Sequence, residues 1–245
     1  MVRDRGASGW GMAVQGVEGG RHVRGVSGDL VWAVGRTVPW RALGAGAVVG
    51  LLIVALPRLA DGPPDAWLAL NLLRAAALAF ALGLSFLLDD PARHLTVPVT
   101  TRRWVRAGLR VAWVAPVAVL WWTAVLALVP HEVRPPVGAL TLEAAAAAAL
   151  ALAAAATAVR FANEPEPGPS VAAGLLTTAI LAQLLLPDRW SLFVPTGDPQ
   201  WQAAHERWAL VLAAATLVWG ACGPEPLRRG LPLRRRSAVA GPTSG

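Results

Sequence analysis

The chain has 245 residues, a hydrophobic content of 55%, only 15% charged residues and a mean hydropathy of +0.49. These values exclude an ordinary water-soluble domain and point to an all-α, polytopic membrane protein. A formal net charge of +7 would suit a nucleic-acid binder. Here, however, the basic residues flank apolar runs, where an anionic membrane face accounts for them, so no nucleic-acid partner is expected.

All 22 Lys+Arg residues are arginine. A P-loop needs a lysine to reach the β- and γ-phosphates, so the chain is not expected to hydrolyse ATP by itself. A single cysteine, Cys222, excludes an internal disulfide and any multi-cysteine metal site. The histidines (His22, His94, His131 and His205) fall on different loops and helix ends, with no metal-ligand spacing. Neither a metal nor a cofactor is expected.

Residues 1–27 are rich in glycine and arginine and poor in large apolar side chains, which reads as a disordered tail. No apolar leader core precedes Trp40, so the first span is expected to serve as its own insertion signal. Within 28–39, Asp29 precedes Leu30, Val31, Trp32 and Val34, and Arg36 follows. Two readings fit: a short interfacial helix with Asp29 as N-cap, or an irregular juxtamembrane linker.

Six apolar stretches follow, at Trp40–Leu59, Ala66–Leu88, Leu109–Val129, Val137–Phe161, Ser170–Leu186 and Ala203–Cys222. Each approaches the roughly 20 residues that a helix needs to cross a hydrocarbon core. They define a six-helix transmembrane domain over 40–222, followed by a disordered basic tail, 223–245. With the N-terminus placed inside, 17 of the 22 arginines fall on that side, leaving Arg58, Arg74, Arg134, Arg189 and Arg207. The positive-inside rule then puts both termini in the cytoplasm.

The first stretch contains the GxxxG Gly46-Ala-Val-Val-Gly50, which permits close helix approach either within the chain or across a dimer seam. The second carries Asn71 and Arg74, the latter about 12 Å from the outer end at ~1.5 Å per residue. An arginine at that depth must snorkel, pair or meet water. Glu143 lies in the outer half of the fourth stretch, so Arg74 and Glu143 either pair or snorkel separately. Asp89 and Asp90 end the second stretch, where acidic groups oppose the helix dipole. A specific partner is therefore expected for them: Arg93, Arg102 or another chain. The basic run Arg102, Arg103 and Arg106 follows. The bland alternative for this loop is a solvated segment with topogenic arginines.

Trp121-Trp122 near the outer end of the third stretch suggests an aromatic belt. The fourth stretch is an alanine tract, Ala144–Ala149 and Ala153–Ala156. Alanine gains little in lipid, so this helix is expected at the packed centre. The loop 163–169 is acidic through Glu164 and Glu166 although it lies inside. The last outer segment, from Pro187 to Trp208, is rich in tryptophan and proline. It fits an interfacial or a re-entrant element, with Asp198 as N-cap and Pro199 at the first helical position.

Three of these pieces carry a family resemblance: Ser85-Phe-Leu-Leu-Asp-Asp-Pro-Ala-Arg-His94, Pro98-Val-Thr-Thr-Arg-Arg-Trp104, and Gly197-Asp-Pro-Gln-Trp201 with Ala204-His-Glu-Arg-Trp208. From Trp40 to Cys222 the chain resembles the permease subunits of type-2 ATP-binding-cassette exporters, in an actinobacterial-like subgroup. The resemblance implies a homodimer or heterodimer of permeases served by separate cytosolic ATP-binding subunits. It implies an ATPase-coupling loop carrying Asp89, Asp90, Pro91, Arg93, His94, Arg102 and Arg103. It also matches Asp29–Arg36 to an interfacial helix. The outer loops are more compact than in larger members.

Polar residues within the stretches are mostly neutral (Asn71, Ser85, Thr123, Thr157, Thr177, Thr178, Gln183 and Thr216), which favours a hydrophobic or amphipathic cargo over a small ion. The competing reading is a non-transport membrane scaffold or partner protein. An intramembrane enzyme would need clustered acid, base or nucleophile groups at one depth, and none is legible.

Overall fold

The computed structural model describes residues 35–59, 65–89, 103–162 and 166–222. The expectations for 1–27, 28–34 and 223–245 lie outside them, as do those for Asp90, Pro91, Arg93, His94, Arg102 and Glu164.

Among the described residues all the regular structure is helical, with no strand. Helix α1 is Trp40–Ala55 and runs on into one 3-10 turn, Leu56–Leu59. Helix α2, Ala66–Leu84, likewise continues as the 3-10 turn Ser85–Leu88. Helix α3 is Arg103–Leu128. Helix α4, Val137–Thr157, ends in a π-helical turn, Ala158–Ala162. Helices α5 and α6 are Gly168–Leu185 and Trp201–Cys222.

Local chemistry sets several of these limits. Asp65 is extended, and its carboxylate accepts the Trp67 N–H at 3.0 Å, an N-cap for α2. Pro169 occupies the first turn of α5, where its missing N–H costs nothing. The Asp198 carboxylate accepts the Gln200 N–H at 2.7 Å, the contact of an N-cap, and its carbonyl accepts from Trp201 in a tight turn that leads into α6, where the Ala204 N–H bonds the Gln200 carbonyl. Helix α3 continues through Pro116, a residue tolerated more readily in apolar helices with close neighbours.

Five helical spans are long and apolar enough to cross a membrane: Trp40–Arg58, Ala66–Leu88, Ala107–Leu128, Val137–Ala162 and Gly168–Leu185. Helix α6, at 22 residues, has the length. Its apolar character is diluted by His205, Glu206 and Arg207 in its first two turns.

The distribution of apolar side chains is that of a chain whose solvent is apolar. Leu176, Ile180, Leu181, Leu184 and Leu185 on α5 are exposed, as are Leu210, Leu217 and Val218 on α6 and Val117, Val119 and Leu120 on α3. Patches of this extent are not left bare by proteins that live in water.

The alanine-rich α4 takes the packed position expected of it, against α2, α5 and α6, and α2 is enclosed more fully still. Of their apolar windows, 61% of the α2 span and 28% of the α4 span are buried. Leu70, Leu73, Ala76, Phe80, Ala81 and Leu84 bury one broad face of α2 in the core along its length. Alanines bring α4 close to its neighbours without themselves filling much space.

The GxxxG of α1 is used within the chain. A Cβ on Gly46 would stand 2.6 Å from the Ala79 carbonyl oxygen of α2, and one on Gly50 would stand 2.6 Å from Cζ2 of Trp121. That notch corrects the reading of Trp121 as an aromatic-belt residue. Its indole is buried, stacks on Phe80 with centroids 4.4 Å apart, and donates to the Ala47 carbonyl at 2.9 Å. Trp122 turns to α4 and donates to Oγ1 of Thr141 at 3.0 Å.

Arginines close several helix ends. Arg58 donates through Nε and Nη2 to the Leu128 carbonyl at the end of α3. Arg160 donates to the carbonyls of Ala221 and Cys222 at the end of α6. Arg110 donates to those of Leu87 and Asp89 where α2 ends. Cations at the negative end of a helix satisfy orphan carbonyls and complement the dipole. These arginines thus have a packing role.

Candidate functional site

Two places concentrate polar chemistry in this apolar bundle. The first is a buried ion cluster near the ends of the helices that the 191–200 segment covers. Counting from the helix starts at Ala66, Val137 and Trp201, at ~1.5 Å per residue, Arg74, Glu143 and His205 lie about 12, 9 and 6 Å in. Three helices therefore deliver three ionisable groups to one region.

The structure brings Arg74 and Glu143 together as a bidentate pair. Arg74 Nε lies 2.8 Å from Glu143 Oε2, and Nη2 lies 2.9 Å from Oε1. Their side chains are 9% and 6% exposed. Arg74 Nη2 also donates to the Val194 carbonyl at 3.1 Å, and its guanidinium lies over the Phe193 ring, 5.6 Å from the centroid. The fork geometry, the carbonyl and the aromatic face together offset the desolvation of a guanidinium in an apolar setting.

His205 completes the cluster; the sequence places it in the segment Ala204-His-Glu-Arg-Trp208 without giving it a role. Its Nε2 is 3.1 Å from Glu143 Oε1 and its side chain is 8% exposed. The contact is close but not aligned as a hydrogen bond, and Nε2 has no other partner. The ring's Nδ1 lies 2.8 Å from the Trp201 carbonyl, and the Trp201 indole packs on the imidazole at 4.3 Å between centroids. Comparable depth from one membrane face was the available signal, since His205 starts the last apolar stretch on the side where Arg74 and Glu143 also lie.

The 187–200 segment is clamped over this cluster. Arg207 donates to the carbonyls of Ser191 and Arg189, the Trp208 indole donates to Leu192, and Phe193 packs edge-on against Trp208. No group of three metal-ligating side chains exists among the described residues.

The second place is the joint where α2 ends. Of the expected coupling-loop residues, Asp89 is the one whose side chain is described; Arg103 begins α3, with its backbone alone described. Neither Arg93 nor Arg102, nor a second chain, is needed to give Asp89 a partner. Its Oδ1 accepts the Gly168 N–H at 2.8 Å, so the acid that opposes the α2 dipole sits at the favourable N-terminus of α5. Ser85, fully buried, has its hydroxyl 2.7 Å from the Leu82 carbonyl and 3.2 Å from that of Gly168, so one proton serves both. Glycine is required at 168 by close approach: a Cβ there would run into Phe86 Cδ1 and lie 2.6 Å from Asp89 Oδ2. With Arg110 of α3 holding the carbonyls of Leu87 and Asp89, α2, α3 and α5 meet in one small joint.

Burial pushes the Asp89 carboxyl above its ordinary value of 3.8; the Gly168 N–H opposes the rise, nearby Glu166 adds to it, and Arg110 opposes it. A carboxyl raised in the folded state binds its proton more tightly there than in the unfolded chain. Its ionisation therefore costs stability as pH rises from 3.8 toward the folded-state value. Asp89→Asn keeps an oxygen for the Gly168 N–H and removes that cost. Thermal unfolding in micelles should show the variant gaining on the parent as pH rises through this window. Asp89→Ala, which orphans the N–H, should lose about 1 kcal/mol, as for other lost helix caps.

Neither a family model, nor a curated protein, nor a solved structure matches this chain. The functional reading therefore rests on the site and on the sequence.

Proposed function

We propose that this protein is the permease subunit of a type-2 ATP-binding-cassette exporter, moving a hydrophobic or amphipathic compound with energy from a separate cytosolic ATPase. In this reading both termini are cytoplasmic, the membrane is the bacterial plasma membrane, and two permeases pair. The observation that carries the proposal is the joint at Asp89. The loop that would receive the ATPase leaves from a point where α2, α3 and α5 are tied together by Asp89, Gly168 and Arg110. A force applied to that loop would reach three helices at once, and α2 would carry it through the core toward Arg74 and Glu143. Few charges line the helices, which supports an apolar cargo.

The test is reconstitution with an ATPase subunit encoded beside the gene and carrying a Walker lysine. The permease should co-purify with it and stimulate its ATP hydrolysis. Asp90→Ala combined with Asp89→Asn should lower the stimulated rate about tenfold, the size of a typical coupling free energy, with the complex still assembled. Asp89→Asn alone serves as the control for the joint. A chain that captures no such subunit is a membrane scaffold and not a permease.

A further inference from the structure

We propose that the groove between α4 and α6 holds one acyl chain of an ester-linked glycerophospholipid, whose ester carbonyl accepts the indole N–H of Trp219. The inference does not depend on the permease reading.

The groove is built from the alanine tract. Ala145, Ala148, Ala149 and Leu152 fall at the spacing of one helix face, and with Thr216 and Trp219 of α6 they line an open cavity of about 300 Å³. An apolar void of ~150 Å³, about half that size, already takes up benzene. The groove follows α4 for about 10 Å, at ~1.5 Å per residue, so an extended hydrocarbon chain suits it better than a compact molecule. Methyl side chains keep its floor shallow. The two helices cannot roll together to close it, because they are held at both ends. At one end His205 meets Glu143 at 3.1 Å. At the other, Arg160 donates to the carbonyls of Ala221 and Cys222, and Thr157 Oγ1 lies 3.7 Å from Cys222 Sγ.

Polar chemistry selects the occupant. The Thr216 hydroxyl donates to the Leu212 carbonyl at 2.8 Å, within α6. Trp121, Trp122 and Trp208 each donate the indole N–H to an oxygen of the bundle. Trp219, half-buried beside the groove, has no acceptor among the described residues. An indole N–H can only donate, so the groove presents a donor that needs an acceptor. Trp219 lies one turn before the end of α6, where the Arg160 guanidinium marks the polar level. In a glycerophospholipid the ester carbonyls likewise lie between the chain and the charged headgroup. Chain, carbonyl and headgroup thus run in the same order as alanine floor, Trp219 and Arg160. A helix from a second copy matches less well, because its backbone carbonyls are already bonded to its own N–H groups.

Native mass spectrometry reads the site. The full chain is released from micelles holding equal amounts of ester-linked dioleoylphosphatidylcholine and its ether-linked analogue, which has the same headgroup and chain length but no ester carbonyl. One tightly held lipid should be retained, with the ester form preferred about fivefold, the size of one net hydrogen bond. Trp219→Phe keeps the groove and should abolish that preference. Ala148→Leu fills the groove and should lose the lipid; if that variant does not fold, Ala145→Leu, at an exposed position, replaces it. Nitrogen-15 NMR of the indoles in nanodiscs gives a second readout. The signal missing from Trp219→Phe should shift between ester and ether bilayers, while that of Trp122 stays. Equal retention of the two lipids, a preference that survives Trp219→Phe, or retention unaffected by the leucine variants would overturn the proposal. So would leucine variants that break a dimer while the parent retains no lipid, since a second copy then fills the groove.

Discussion

Glu143→Ala is expected to destabilise the folded protein by about 3–5 kcal/mol, the penalty for stranding a buried charge after its partner is removed. The guanidinium of Arg74 would keep only the Val194 carbonyl and the Phe193 face. Arg74→Ala should cost a similar amount, since the Glu143 carboxylate would keep only the unaligned contact with His205. Replacing both at once by apolar residues of similar volume, Arg74→Met with Glu143→Leu, should come out near neutral, because no charge is then left to desolvate. Charge reversal tests the pair more sharply. Each single reversal places like charges together. The double reversal restores the attraction but not the surroundings: Val194 and Phe193 would face an anion on α2, and a cation on α4 would face His205. Rescue should therefore be partial. A thermodynamic cycle of unfolding in mixed micelles should give a coupling of about 0.5–3 kcal/mol between the two sites. Single apolar variants as benign as the double would show that the pair contributes nothing.

How much of this was legible beforehand differs from residue to residue. The helices follow from apolar runs, and apart from α3, which begins at Arg103 ahead of the apolar limit at Leu109, their starts fall close to the apolar limits because lipid-compatible stretches are set by length and composition, which a sequence displays. Arg74 and Glu143 stood out individually, since each interrupts an apolar run. Their pairing was an open alternative because relative rotation of α2 and α4 is a tertiary property. His205 has no role in the sequence pattern for a related reason. One histidine at a helix end is unremarkable until the fold of 187–200 brings Val194, Phe193 and the first turn of α6 over the cluster. Asp89 was flagged correctly as anomalous, but its partner lies 79 residues away at the start of α5, and no local pattern points there. Conversely, the arginines read as a topological signal are partly explained by carbonyl capping at helix ends, which a count of charges by side cannot register.

Trp121 was misread for a reason that leads to the second large effect. A tryptophan near a span end resembles a belt residue unless a notch opposite it is recognised, and Gly50 makes that notch. Trp121→Ala should cost about 3 kcal/mol, the low end for aromatic truncation in a core, since lipid solvates an exposed apolar surface and leaves the lost packing as the main term. Gly50→Ala should cost about 1–3 kcal/mol through overpacking, because the new Cβ would stand 2.6 Å from the indole and 3.1 Å from the Ala76 carbonyl oxygen. The two effects share one volume, so they should not add. In a Gly50→Ala, Trp121→Leu double variant the smaller side chain leaves room for the methyl group, and the pair should cost less than the sum of the singles. Gly46→Ala supplies the contrast. Its Cβ would strike the Ala79 carbonyl oxygen at 2.6 Å, a backbone atom of α2 that no change at Trp121 moves, so its cost should persist in the Trp121→Leu background. Unfolding measurements on the two cycles then separate a side-chain lock from a backbone contact. If Gly46→Ala and Gly50→Ala instead leave stability intact and change only the association of two copies, the GxxxG face belongs to a dimer seam and not to the α1–α2 contact.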